Sequence, residues 1–438
     1  MRHLASRGLW LASFIMLATP AAAQAPAAKI DAGDTAWMIA ATALVLMMTI
    51  PGLALFYAGM VRKKNVLGTL AQSFAATVIV SILWVLAGYS LAFVGDGKWL
   101  GSLSWSFLAN SDMNATSPLA PTIPESLFML YQMTFAIITV ALVSGSVADR
   151  MRFSAWVMFS VLWLLIVYVP LAHWVWGGGF LQKAGVLDFA GGTVVHINAG
   201  IAGLVAALVL GKRRGYGSEN LAPYDLSMAV IGTGLLWVGW FGFNGGSALT
   251  AGSRGTMAIV ATHLAASAGA LTWMTLEWLE RRKPSVLGII SGAVAGLGTI
   301  TPASGFVLPW HGLVIGLIAG AGCYWACTKL KLWLGYDDSL DVFGVHGIGG
   351  IIGTTLTGVF AVAAISATAD GPGTAGLLEG NPGQVLTQLY GVVVTVGWSG
   401  IATFVLLKIV DFATELRVSG ETEQIGLDIT QHGESIHS

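Results

Sequence analysis

The sequence predicts an all-α polytopic membrane protein of eleven transmembrane helices, built as an inverted five-plus-five helix repeat with an extra eleventh helix. Three observations carry this prediction. Of 438 residues, 55% are hydrophobic and only 10% are charged, against about 25% charged in soluble domains. Eleven apolar runs follow one another, each about 20 residues, the length that a bilayer core demands of a helix. The stretch Asp188–His196 (DFAGGTVVH) is echoed 150 residues later around His346. A chain with a mean hydropathy of +0.76 has the lipid bilayer as its solvent. Its net charge of −1 argues against a nucleic-acid partner.

In chain order, residues 1–23 read as a cleaved signal peptide. Arg2 and Arg7 give a basic start, Leu9 to Ala18 an apolar core too short to span, and Pro20-Ala21-Ala22-Ala23 a small-residue cleavage site. Residues 24–410 form the membrane domain. Its spans are expected at 35–57, 69–94, 125–147, 154–174, 191–211, 226–248, 256–278, 285–304, 309–328, 340–362 and 384–410. They must be helices, because lipid offers no partner to an open backbone amide. Residues 411–438 form a polar cytoplasmic tail, read as a regulatory docking segment or as a solvated terminus. Basic residues set the orientation. Fifteen Lys and Arg fall on one side, among them Arg62, Lys63, Lys64, Arg150, Arg213 and Arg214; four fall on the other, Lys29, Lys98, Lys183 and Arg254. The positive-inside rule then places the N-terminus outside and the C-terminus in the cytoplasm.

The echo defines the repeat. Asp188 and Asp338 each precede a histidine by eight residues. Both histidines follow valine and are followed by glycine at plus four and plus seven (Gly200 and Gly203; Gly350 and Gly353). Five is odd, so two five-helix units must run in opposite directions, an architecture that places a substrate path at the repeat interface near the midplane. Cys323 and Cys327, at helical spacing in an apolar run, read as packing residues.

Ionisable groups within membrane spans are costly and by default mark function. His173 and His311 fall near the outer helix ends, where water can satisfy them, and His263 has no partner visible in the sequence. His196 and His346 are deep and matched. Two neutral imidazoles facing each other can share a nitrogen–nitrogen hydrogen bond, line a pore and relay a proton. A second set reaches one depth near the outer side. Trp176 ends the fourth run, Tyr131 and Phe135 share a face of the third, and Ser247 ends the sixth. Aromatic faces bind cations, although each ring taken singly fits the ordinary interfacial belt. Asp188 has two readings, contact with a cation or a cap on the fifth helix through the amides that follow it; the cap is preferred.

At this point the chain resembles the ammonium transporter (Amt/Mep/Rh) family in its bacterial Amt branch. The likeness rests on Asp188–His196 with Ile197-Asn198-Ala199, on Asp341–Gly347 (DVFGVHG), and on Trp240–Ser247 (WFGFNGGS). Phe56-Tyr57-Ala58-Gly59 and the tail residues Gly426-Leu427-Asp428 and His432-Gly433-Glu434 add to it. The resemblance implies a homotrimer in the bacterial inner (plasma) membrane, each subunit with its own pore. It implies an outer ammonium site on Trp176, Phe135 and Ser247, with Asp188 beside it. It implies a gate of Tyr131 over Phe135, twin pore histidines His196 and His346, and Trp240 in the pore lining. It further implies a PII-type (GlnK-like) regulatory protein at the cytoplasmic face, and neither cofactor, metal nor catalytic residue. Tyr131 stands where many relatives have phenylalanine.

The expected activity is binding of ammonium, its deprotonation, and conduction of ammonia past the histidines, with separate, electrogenic proton transfer. The alternatives are a passive ammonia gas channel and an ammonium sensor of the same fold. Sensors usually carry a long signalling domain after the last helix, whereas the tail here has 28 residues. A sugar or amino-acid transporter would need more polar groups at midplane. A haem protein using His196 and His346 as axial ligands would show a haem absorption band.

Overall fold

A computed structural model describes residues 29–367 and 371–436. The expected signal peptide lies outside the described residues. Ten described helices are long and apolar enough to cross a membrane. They are α1 (Ala32–Met60), α2 (Lys63–Phe93), α3 (Glu125–Val147), α4 (Phe153–Lys183), α5 (Gly192–Leu210), α6 (Leu226–Gly245), α7 (Ser253–Arg281), α9 (Pro309–Leu334), α10 (Phe343–Phe360) and α11 (Gly383–Thr414). Between α7 and α9 lies a shorter apolar helix, α8 (Val286–Ile300), of 15 residues. Among the described residues there is no extended strand, only isolated bridges such as Met151 with Arg417.

The eighth run is where sequence and structure part most. A span was expected over 285–304, but the regular helix stops at Ile300. Pro302 has no amide to donate, and the chain turns there, with Ala303 and Ser304 both donating to the Ile300 carbonyl. Fifteen residues make about 22 Å of helix, short of the roughly 30 Å hydrocarbon core.

Burial sorts the helices. α3 is covered almost all round, so it is central; α2 and α11 bury far less and face outward. Small residues bring the central backbones together. A Cβ on Gly200 of α5 would lie 2.2 Å from the amide nitrogen of Gly347 in α10, so only glycine fits this crossing. A Cβ on Gly350 of α10 would in turn lie 2.9 Å from Ile197 of α5. Each plus-four glycine thus meets the residue that follows the other histidine.

Both histidines lie in widened, π-helical turns, Gly192–Ile197 and Phe343–Gly347. Such turns shift side-chain direction within a helix and recur at functional sites. Each turn opens against an aspartate. Asp188 Oδ2 accepts from the Thr193 amide at 2.8 Å, and Asp338 Oδ2 accepts from the Phe343 amide at 2.7 Å, the same five-residue offset.

The face rich in basic residues is closed by ion pairs. Arg213 reaches Asp337 at 2.8 Å and Asp149 at 3.5 Å, and Arg62 reaches Asp149 at 3.2 Å. The tail folds back onto this face. Asp428 accepts from the Leu67 and Gly68 amides in the first turns of α2, at 3.1 and 2.8 Å. Leu416, Val418 and Leu427 of the tail are buried. The tail is thus anchored to this face at a few buried positions while much of it stays exposed, and the helix before it runs on to Thr414.

On the opposite face the loop after α2 is pinned down. His173 Nδ1 lies 2.9 Å from the Ala92 carbonyl and Nε2 lies 2.5 Å from that of Gly97. Fully buried, His173 holds the loop and has no access to water, contrary to expectation. His311 is likewise 5% exposed and accepts from the Leu308 amide. Loops folding over these helix ends account for both. Cys323 is fully buried and both cysteines are free.

Candidate functional site

A cavity of about 180 Å³ opens near the pinned loop. Its walls include Phe135, Trp176, Phe189, Gln132 and Ser247. Trp176 meets Phe135 edge-on, with centroids 5.8 Å apart and planes at 85°. The Trp176 indole N–H donates to the Asp188 backbone carbonyl at 2.8 Å, which fixes the ring. The Asp188 carboxylate itself is occupied. It accepts from the amides of Gly191, Gly192, Thr193 and Val194 at 2.6–3.2 Å and from the Thr193 hydroxyl. Asp188 is absent from the cavity wall. It reaches the aromatic site through its backbone and through the start of α5, not by direct contact.

Tyr131 and Phe135 follow the helical spacing, with centroids 5.0 Å apart in an edge arrangement. The Tyr131 hydroxyl lies 3.0 Å from the Gly242 carbonyl, 2.9 Å from that of Phe243, and 3.3 Å from Ser247 Oγ. The added oxygen thus ties the ring to α6. Ser247 donates in turn to the Phe243 carbonyl at 2.8 Å.

Below Phe135 lies Phe243, at 4.2 Å between centroids. Beyond it the path narrows to an apolar waist of about 10 Å³, lined by Leu53, Ile138, Leu142, Leu236, Val294 and the two histidines among others. That is about the room one water needs. His196 Nδ1 and His346 Nδ1 are 3.2 Å apart, with ring planes within 10°. One ring must donate and the other accept. His196 Nε2 is buried without a partner among the described residues. Trp240 stacks against His196 at 5.6 Å and is held by its N–H to Thr301 Oγ1 at 2.9 Å.

His346 is also the roof of a third cavity, of about 170 Å³, lined by Phe56, Tyr57, Trp273, Ser339 and Asp341 and reaching the basic face. Leu221 and Pro223 of the loop after α5 close it. Arg213 anchors that loop. Burial alone would raise the Asp337 carboxyl, but the Arg213 guanidinium outweighs it and holds the group below the ordinary carboxylate value.

All eight residues singled out in the sequence therefore lie on or beside one path. Sequence reasoning missed Phe243, the floor under Phe135, although it stands inside the Trp240–Ser247 motif. It also missed Ile138 and Leu142. Their signal was present, since positions 131, 135, 138 and 142 form one helical stripe. Thr301, which orients Trp240, carried no local signal.

The model of the Ammonium Transporter Family matches residues 36–436. A putative ammonium transporter of Methanothermobacter thermautotrophicus is 50% identical over 406 residues, covering 93% of this chain and 98% of its own length. An ammonium transporter of Bacillus subtilis is 48% identical, covering 92% of this chain and 98% of its own length. The crystal structure of Saccharomyces cerevisiae Mep2 superposes with a TM-score of 0.83 at 39% identity, over 90% of this chain and 88% of that one. With a family match across nearly the whole chain and a path of aromatic rings leading to paired histidines, this protein belongs to the ammonium transporter (Amt/Mep/Rh) family.

Proposed function

We propose that this membrane transporter takes ammonium at an outer aromatic site, strips one proton from it, and passes ammonia through the waist, with the proton crossing separately along the histidine pair. Family membership makes the chain an ammonium transporter and not an enzyme; the route is our reading. The observation that carries it is the pair of imidazoles 3.2 Å apart in an otherwise apolar constriction. A bare monovalent cation cannot cheaply enter such a waist, since the idealised cost of moving it into a low-dielectric medium is on the order of 20 kcal/mol. Ammonium differs from potassium in having a proton to give up.

Trp176, Phe135 and Ser247 offer two aromatic faces and a hydroxyl to the incoming ion. A desolvated cation over aromatic rings gains about 2 kcal/mol or more. Without a contacting carboxylate, the hold is weak enough for release. Tyr131 over Phe135 forms the gate. Below it the unpartnered Nε2 of His196 is free to exchange a hydrogen bond with a passing ammonia, while His346 opens onto the inner cavity. Trp240 keeps the His196 ring in plane.

The same reading includes eleven spans, with α8 as the short one, and an inverted repeat about the α5–α10 crossing. The equal aspartate offsets and the reciprocal glycine approaches support it. It includes a cleaved signal peptide over residues 1–23, an outer N-terminus and a cytoplasmic C-terminus in a bacterial inner membrane, a homotrimer, and a PII-type regulator at the basic face. These rest on the charge distribution and on the family.

The test is a current measurement in proteoliposomes on a solid-supported membrane, with an ammonium jump and then a potassium jump. The expected result is a current with ammonium alone, abolished or made potassium-permeable in His196→Ala or His346→Ala. Equal currents for both ions in the unmutated protein would overturn the mechanism. Alkalinisation of the lumen with no current would instead establish a passive ammonia channel.

A further inference from the structure

His346 shares the inner cavity with one carboxylate, that of Asp341. Asp341 sits at φ +58°, a left-handed conformation uncommon for a residue with a side chain. Two contacts hold it there. Its carbonyl accepts from the amide of Val345, the neighbour of His346, at 2.9 Å. Its Oδ1 accepts from Lys331 Nζ at 2.7 Å, and the same ammonium donates to the Asp338 carbonyl at 2.6 Å. The Lys331 side chain is only 12% exposed, so this ion pair is built into the end of α9. Asp341 Oδ2 has no hydrogen-bond partner among the described residues, and its side chain, 38% exposed, meets the water of the cavity. The imidazole above it is placed alike. His346 Nδ1 is taken by His196, whereas its Nε2, unlike that of His196, is not sealed off. The other titratable groups near Asp341 are Cys327, Tyr336 and Asp338, and the Asp338 carboxylate is spent on the Phe343 amide.

We propose that Asp341 is the proton acceptor of the inner cavity, taking through cavity water the proton that leaves His346 Nε2 and passing it to the solution at the basic face. The proposal rests on the transport reading above and deepens it. A proton handed over by His196 forms an N–H bond at His346 Nδ1 as the N–H bond at Nε2 breaks. The released proton joins a water, and a proton of that water forms an O–H bond at Asp341 Oδ2, which then gives it up to the outside solution. The carboxylate ends as it began, no electron changes hands, and ammonia leaves through the same cavity uncharged. Five residues separate Asp341 from His346, about 7.5 Å of helix rise. That is too far for direct transfer and is spanned by one or two waters, for which a cavity of about 170 Å³ has room. Lys331 supplies the countercharge in these apolar surroundings and occupies Oδ1, which leaves Oδ2 for the proton.

The test is the charge moved per ammonium taken up, from the integrated current and the ammonium content of the proteoliposome lumen. It is measured for the unmutated protein, Asp341→Asn and Asp341→Glu. Asparagine tolerates the left-handed backbone at this position, and the double variant Asp341→Asn with Lys331→Met leaves no unpaired ammonium if the single one is unstable. The expected result is a charge per ammonium lowered about 10-fold or more in Asp341→Asn, with the lumen turning alkaline as ammonia enters without its proton, and recovery in Asp341→Glu. A residue that merely shaped the cavity would lower current and uptake together and leave the ratio unchanged. An unchanged ratio in the variants that fold, with a current in the unmutated protein, therefore overturns the role of Asp341 alone. Uptake without any current in the unmutated protein would instead sink the separate proton path on which the proposal rests.

Discussion

Tyr131→Phe isolates one oxygen at the gate. Its hydroxyl lies within hydrogen-bond distance of the Gly242 and Phe243 carbonyls but has one proton to give, so the substitution removes a single shared bond. Neither carbonyl is orphaned. The Gly246 amide already donates to the Gly242 carbonyl, and Ser247 Oγ to that of Phe243. The loss is then the net worth of one neutral bond, about 0.5–1.5 kcal/mol. If the ring must leave this position for ammonium to pass, that energy is removed from the opening step, which should speed by about 2- to 10-fold. Phe135 and its packing on Phe243 are untouched, so selectivity for ammonium over potassium should not change. Maximal current per transporter in a solid-supported membrane reads the rate directly. A slower Tyr131→Phe protein, or one with unchanged maximal current, would show that the tether does not restrain a rate-limiting motion.

Two further predictions follow from the central crossing and from the basic face. Gly200→Ala places a methyl group 2.2 Å from the Gly347 amide nitrogen, where only backbone can yield; overpacking of this kind costs about 1–3 kcal/mol. The melting temperature in detergent should fall and the ammonium current should drop, because the same crossing sets the spacing of the histidines. A variant with wild-type current would mean that the two helices can separate without consequence for the pore. Arg213→Ala leaves the buried Asp337 without its guanidinium, a loss of about 3–5 kcal/mol for a buried pair. Asp337 titrates below its ordinary value of 3.8 in the folded protein. Its contribution is therefore present above that value and lost as pH falls through the lowered one. Asp338, pushed up by burial, titrates with the opposite sign. The difference in melting temperature between the unmutated protein and Asp337→Asn should thus be constant from pH 7 to 5 and shrink only below about pH 4. A difference that already shrinks between pH 7 and 5 would contradict the ion-pair account.

Local patterns made much of this structure legible. The apolar runs marked the helices because lipid leaves no other backbone solution. The histidine pair was legible because each ring is preceded by its own aspartate at the same offset, and that offset is visible as the matching caps on Thr193 and Phe343. What escaped was set by residues distant in sequence. Phe243 joins Phe135 across two helices, and the carboxylate of Asp428 is spent on amides some 360 residues away. His173 sits at a helix end, as its place in the sequence implied, yet it is buried by a loop whose path no periodicity records. The short α8 turned on Pro302, a residue lying within an apolar window that hydropathy alone reads as continuous.

The meeting of Gly200 with Gly347 has a mechanical consequence. At most helix crossings the separation is set by side chains, which can change rotamer and let the gap breathe. Here peptide touches peptide one residue beyond His346 and four beyond His196, so the main chain acts as a hard stop. The nitrogen–nitrogen gap should then be nearly independent of temperature, bilayer thickness and lateral pressure. Repacking elsewhere in the bundle could retune the gate or the inner cup without altering the step on which a proton would have to move.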